Sequence, residues 1–106
     1  MTGMESLDYS FSGTRRAQAF VPVLVGVVGS GNLEVLVESA AAPHSRFHVE
    51  TSARGFGPIW EAVLRDFQER HDFQGLLVSI NDMGATPAVV SLRLDQAVAG
   101  LKEVSP

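Results

Sequence analysis

The chain has 106 residues, 45% of them apolar, and its 8 basic and 12 acidic side chains give a formal net charge of −4. This length predicts a single domain spanning residues 1–106, and the charge balance argues against nucleic acid as a partner. The absence of cysteine excludes disulfides and thiolate metal sites.

The N-terminal sequence MTGMESLDYSFSG contains no apolar core of the kind that a secretory signal needs. The longest apolar run, residues 20–28, is far shorter than a membrane-spanning helix. These features predict a cytoplasmic protein that does not associate with membranes.

Four segments in the first half of the chain have the patterns of strands. Residues 6–12 alternate apolar and polar side chains, as in a strand with one solvated face. Residues 19–28 are almost continuously apolar, which predicts a central strand covered on both faces or lying at a partner surface. Residues 33–38 and 46–52 alternate again and predict two half-buried strands.

The period then changes to that of helices. The pair Gly57-Pro58 begins a helix with proline at its first position, and apolar side chains then recur at i, i+4 spacing. Residues 75–80 predict a short buried strand, and residues 81–84 predict a turn. The pair Thr86-Pro87 begins a second amphipathic helix, with the threonine as N-cap, that extends to about residue 102.

This order of elements predicts an α+β fold. Short turns between the first strands predict that these strands are antiparallel neighbours. Two helices with one apolar face each must both cover a sheet. The expected architecture is a two-layer sandwich, with a mainly antiparallel sheet of about five strands and two amphipathic helices on one face.

The stretch Gly29-Ser30-Gly31 lies between two of the predicted strands and has several possible interpretations. A dinucleotide-binding loop needs a third glycine and a following helix, and a P-loop needs Gly-Lys-Ser/Thr. A nucleophile elbow needs glycines where Val28 and Asn32 stand. The residues themselves favour a hairpin turn over 29–32, which would expose Ser30 to an enzyme that modifies hydroxyl groups.

Nothing in the sequence indicates a catalytic or metal centre. His44, His48 and His71 are scattered, so we expect surface or structural roles for them. A serine triad needs a positioned histidine, and no histidine or carboxylate spacing matches a metal site. We therefore predict no catalytic residues and no metal ligands.

Two motifs together, VGVVGSGNLEVLVE and INDMGATPAVVSLRLDQAV, resemble the acyl carrier (δ) subunit of bacterial malonate decarboxylase over about residues 19–99. The resemblance implies that Ser30, flanked by Gly29 and Gly31, carries 2'-(5''-triphosphoribosyl)-3'-dephospho-coenzyme A through a phosphodiester. It implies that the thiol of this arm carries acetyl, which is exchanged for malonyl. It further implies a non-catalytic carrier that a prosthetic-group transferase loads and that serves the acyl transferase and decarboxylase subunits.

Two alternatives remain open. The acyl carrier (γ) subunit of citrate lyase uses the same prosthetic group, but its late motif resembles Asp-x-Gly-Ala-Leu-Asp and its serine lies in a Ser-Ser-Asp-like context. Both differences favour the malonate family, although Asn32 stands where that family more often has aspartate. This chain does not resemble ordinary acyl carrier proteins, which are helical bundles whose serine follows aspartate, because Ser30 lies between predicted strands. The other alternative is an unmodified interaction module.

Residues 81–87 also have two interpretations. They form either a turn with an N-cap, or a surface that docks a partner or meets phosphates of the arm.

Overall fold

The computed structural model describes residues 3–104, in which a five-stranded sheet is covered on one face by two helices. The strands are β1 (Glu5–Ser12), β2 (Arg15–Arg16), β3 (Val23–Gly26), β4 (Leu33–Ser39), β5 (His44–Thr51), β6 (Phe73–Gln74) and β7 (Leu76–Asp82). The helices are α1 (Gly57–His71) and α2 (Pro87–Val98). The main sheet has the order β1-β5-β7-β4-β3, and β2 pairs with β6 separately. The predicted α+β sandwich is confirmed.

The core lies between the sheet and the helices. In β4 the alternating side chains Leu33, Val35 and Val37 are fully buried, as the period of two predicts. Val35 pairs with Ile80 of β7, so neighbouring strands align their buried side chains in one row. The helices complete this core with the following buried side chains: Trp60, Leu64, Phe67, Val90, Leu94, Ala97 and Val98.

Of the two interpretations of residues 19–28, the central strand covered on both faces is wrong in its position and length, and a strand at a partner surface stays a prediction. The ordered strand β3 has only four residues, and it forms an edge of the sheet. Leu24 is 59% exposed and Val27 is 69% exposed. The apolar run therefore covers little of this chain's own core. The prediction failed because a sequence pattern cannot distinguish a buried strand from an apolar strand on the surface.

The predicted pairing of successive strands is also wrong in part. β3 and β4 are antiparallel neighbours, but β1 pairs with β5, and β7 lies between β5 and β4. β5 and β7 are parallel, which requires a crossover connection, and α1 supplies it. Strands that are far apart in the sequence can pair without any signal in the turns that connect successive strands.

Both helices begin where the sequence predicts. Pro58 occupies the first turn of α1, and Thr86 caps α2 by accepting a hydrogen bond from Val89 N at 3.3 Å. α2 ends at Val98, short of the predicted residue 102, and β7 continues through Asp82, so the predicted turn begins two residues later. Neither helix has the length and apolar character needed to span a membrane, in the part of the chain that is described.

Candidate attachment site

The loop that contains Ser30 joins the edge strand β3 to β4. It comprises residues 27–32, and Ser30 is exposed at its tip. Within it, Asn32 N donates a hydrogen bond to Gly29 O at 2.9 Å, which closes a four-residue turn. Gly31 has a φ of +73°, the conformation that a type II turn requires at its third residue. The predicted turn over residues 29–32 is confirmed, within a connection two residues longer.

The two flanking glycines differ in what they contribute. Gly31 needs its glycine for the positive φ, whereas Gly29 is not among the positive-φ residues. A Cβ atom added at either position would meet no atom within 4 Å. Both glycines therefore leave the approach to Ser30 open, but the backbone shape depends on Gly31 alone.

A third glycine, Gly26 at the end of β3, is more tightly constrained than either. It has a φ of +87°, and an added Cβ would lie 2.2 Å from Leu33 O. This glycine lets the two strands approach each other at the base of the loop. The sequence analysis did not identify Gly26, although a glycine inside an apolar strand pattern often marks the close approach of another backbone.

The loop is tied to the segment that follows β7. Gly31 N donates to Met83 O at 2.7 Å, and Met83 N donates to Asn32 O at 2.9 Å. These two bonds extend the β4–β7 ladder beyond the end of both strands. The two motifs that are separate in sequence, residues 29–32 and 81–87, therefore form one structural unit.

Asn32 and Arg93 support the loop from the side. Asn32 Oδ1 accepts from Leu33 N at 2.8 Å and, more weakly, from Arg93 Nε at 3.4 Å. Arg93 lies on α2 and also donates to Gln96 Oε1 at 3.1 Å. An asparagine thus provides a local backbone bond and a contact to a cation, neither of which the sequence pattern revealed.

Asp82 anchors the other half of this unit from inside. Its side chain is buried, with 2% exposure. Its carboxylate accepts from Thr51 Oγ1 at 2.8 Å, Ala85 N at 2.9 Å and Gly84 N at 3.2 Å. The carboxylate therefore fixes the turn that carries Met83, and it holds that turn against the end of β5.

The histidines lie away from this loop. His48, on β5, bridges Asp8 and Glu50 on the uncovered face of the sheet, at 2.7 Å to each carboxylate. His71 contacts Asp95 at 2.9 Å. Among the described residues there is no group of side chains that could hold a metal ion.

Ser30 therefore presents an exposed hydroxyl on a loop that hydrogen bonds hold in place, an arrangement that would suit the attachment point of a carrier protein. The family model described as malonate decarboxylase delta subunit (MdcD) matches residues 21–101. The chain belongs to this family.

Curated relatives and a solved structure agree with this assignment. The malonate decarboxylase acyl carrier protein of Burkholderia cepacia is 71% identical over 98 residues, covering 92% of this chain and 91% of the relative. A protein of the same name from Stenotrophomonas maltophilia is 52% identical over 105 residues, covering 97% and 99%.

A chain in the crystal structure of a Pseudomonas malonate decarboxylase hetero-tetramer in complex with malonate superimposes with a TM-score of 0.82 at 36% identity. The match covers 90% of this chain and 96% of that one.

Proposed function

We propose that this chain is the carrier subunit of a malonate decarboxylase complex and that Ser30 carries its prosthetic group. The observation that carries the proposal is the exposed Ser30 at the tip of a loop that is hydrogen-bonded to the segment after β7. Family membership supports the carrier role. The donor that we propose is 2'-(5''-triphosphoribosyl)-3'-dephospho-coenzyme A, of which the part with a single phosphate on the ribosyl group stays on Ser30. The thiol of this group, when bound, carries acetyl or malonyl as a thioester.

The residues around Ser30 fit a phosphodiester at this position. The space beside Gly29 and Gly31 is open, so a bulky phosphate ester meets no side chain from either neighbour. Arg93 brings a guanidinium to the loop through Asn32, and guanidinium groups bind phosphate well. Gly29 and Gly31 provide access, and Gly31 also provides the turn. Among the described hydrogen bonds, Arg93 is the cation that contacts this loop, and we propose that it pairs with the phosphate.

Attachment needs chemistry that this loop does not supply. Ser30 Oγ must lose its proton and form one bond to phosphorus, and a triphosphate donor that ends as a phosphodiester must release diphosphate. The described hydrogen bonds place no histidine or carboxylate on Ser30. We therefore assign the activating base to a separate prosthetic-group transferase, for which the exposed loop is a protein substrate.

The apolar edge beside the loop supports docking of other subunits. Val27 and Val28 directly precede Gly29 and are both exposed, and Leu24 is exposed on β3. Exposed apolar residues that cluster on one surface commonly mark protein contacts. We propose that acyl transferase and decarboxylase subunits approach Ser30 over this surface, while the carrier itself performs no chemistry on the acyl group.

A reconstitution experiment tests the carrier role. The purified chain bearing its prosthetic group is incubated with malonate, and carbon dioxide release is measured before and after the other subunits are added. We expect release only in the complete mixture, and the Ser30→Ala variant should be inactive in it. The Ser52→Ala variant, with an exposed serine on another loop, is the matched control and should remain active. Decarboxylation by the isolated chain would contradict a carrier role.

A further inference from the structure

An apolar pocket of about 280 Å³ opens between the N-terminal ends of α1 and α2. Trp60, Val63 and Val90 line it, and Trp60 is only 5% exposed. Phe56 and Ile59 also line it, and they are 47% and 46% exposed. A pocket with apolar walls and few polar groups is the usual form of a small-molecule site.

This pocket lies beside the loop that carries Ser30. Asp82 and Gly84 line it, and Met83 between them is hydrogen-bonded to Gly31 at 2.7 Å. Ser30 is one residue from Gly31, and consecutive Cα atoms are about 3.8 Å apart. The path from Ser30 to the pocket wall therefore consists of Gly31, its hydrogen bond to Met83, and one further residue. An arm derived from coenzyme A is long enough to span this path.

The side-chain oxygen atoms of Asp82 and Thr86, which line the pocket, are already engaged. Asp82 is the charged residue among the lining residues, and its carboxylate accepts from Thr51, Gly84 and Ala85. Thr86 Oγ1 accepts from Val89 N. The positive ends of two helices favour an anion here, but the Asp82 carboxylate already lies at this position. No lysine, arginine or histidine is among the lining residues.

We propose that this pocket holds the acetyl thioester end of the arm attached to Ser30 and excludes the malonyl thioester; the proposal rests on the proposed function. An acetyl group is small and uncharged, so it can leave water for an apolar wall at little cost. A malonyl group would bring a carboxylate against that wall without a cation to pair with it. The acetyl arm therefore folds back onto its own carrier, while the malonyl arm stays in solvent, available to a second site.

The test compares the two loaded forms of the intact carrier. Each thioester is cleaved with hydroxylamine and followed by intact mass, and each rate is divided by that of the corresponding free coenzyme A thioester. Only the undocked arm reacts, so a pocket occupied half of the time lowers the rate by about twofold. We expect at least this protection for acetyl and none for malonyl. Trp60 is the single tryptophan, so acetyl loading should also change its fluorescence.

A pocket-filling variant supplies the second half of the test. Ala53→Phe places a ring in the pocket from a loop position, and it should abolish the protection of acetyl. Ala62→Phe adds the same ring on an exposed part of α1 outside the pocket, and should leave the protection unchanged. If Ala53→Phe does not fold, Ile59→Glu at the half-exposed rim should remove the protection instead.

The outcomes separate this inference from the proposed function. If no prosthetic group is found on Ser30, the proposed function fails and the pocket has no arm to hold. If the group is present but acetyl and malonyl are cleaved at equal corrected rates, the pocket inference is overturned while the carrier role stands. Protection that survives both Ala53→Phe and Ile59→Glu would likewise overturn it.

Discussion

The three glycines around the Ser30 loop are constrained to different degrees. Gly31 has a φ of +73° in open space, Gly26 has a φ of +87° with Leu33 O against it, and Gly29 has neither constraint. A residue with a side chain pays about 1–2 kcal/mol in the left-handed region. The loop therefore depends on Gly26 for its base and on Gly31 for its turn.

A substitution series at these glycines tests this ranking. We expect Gly29→Ala to stay within about 0.5 kcal/mol of wild type and Gly31→Ala to cost about 1 kcal/mol. Gly26→Ala should cost more than Gly31→Ala, because the backbone must also move. Urea unfolding measures these differences. Gly31→Val should further slow prosthetic-group attachment to the folded protein. Equal costs at Gly29 and Gly31 would show that the turn does not need its positive φ.

Asp82 is a buried carboxylate that organises the turn after β7. It accepts from the Thr51 hydroxyl and from two backbone N–H groups while being 2% exposed. Asp82→Ala would leave these buried donors unpaired, at about 1–3 kcal/mol for an unsatisfied group. We expect a loss of about 2 kcal/mol or more by urea unfolding, and slower attachment at Ser30 because Met83 loses its support. Glu69→Ala, at an exposed position on α1, is the control. A loss no larger than in this control would contradict the anchoring role.

At the scale of elements, the sequence predicted local features correctly but did not predict the pairing of distant strands. The alternation of residues 33–38 predicted which side chains of β4 are buried, and Pro58 and Thr86 marked the helix starts, because caps and periodicity are local signals. The pairing of β1 with β5 joins distant segments, so no local pattern could show it. The contact between Gly31 and Met83 could not be predicted for the same reason, since these residues are distant in the sequence.

The pair β1–β5 also carries a pH-sensitive contact on the uncovered face of the sheet. His48 forms one hydrogen bond to Asp8 and another to Glu50. Both bonds, that to Asp8 the more, raise the pKa of His48 above its ordinary value of 6.5. The folded protein thus holds this proton more tightly than the unfolded chain does. The contact stabilises the fold fully below pH 6.5, and this contribution is lost as the pH rises through the raised pKa.

We expect this histidine to give a small, reversible fall in melting temperature between pH 6 and pH 8. The side chains are partly solvated, so the contribution stays below about 1 kcal/mol. The difference in melting temperature between wild type and His48→Gln should be larger at pH 6 than at pH 8. A difference that grows as the pH rises would contradict the assigned direction.

At the scale of the whole molecule, the prediction of an attachment site rests mainly on resemblance. Composition and loop chemistry supported only an exposed turn at residues 29–32, and the two motifs together were needed to predict a prosthetic group on Ser30. The long apolar run at residues 19–28 does not form the covered central strand that was one of its two interpretations. Its exposed side chains, which include Leu24 and Val27, lie close to Ser30 in the chain, and their burial by another subunit stays a prediction.

The fold itself suits a carrier as a whole. Backbone hydrogen bonds to Met83 join the loop to the sheet, so the proposed attachment point is held in place. An arm tethered to such a point meets each partner site at a raised effective concentration.

The most direct test of this account is the intact mass of the chain after co-expression with the enzymes that make and attach the prosthetic group, followed by peptide mapping. We predict one adduct with the mass of a phosphodiester-linked dephospho-coenzyme A derivative, located on Ser30, present in Ser52→Ala and absent in Ser30→Ala. Ser30 is exposed on its loop, so Ser30→Ala should melt close to wild type. An unmodified chain under these conditions, or an adduct mapped to another residue, would contradict the central claim.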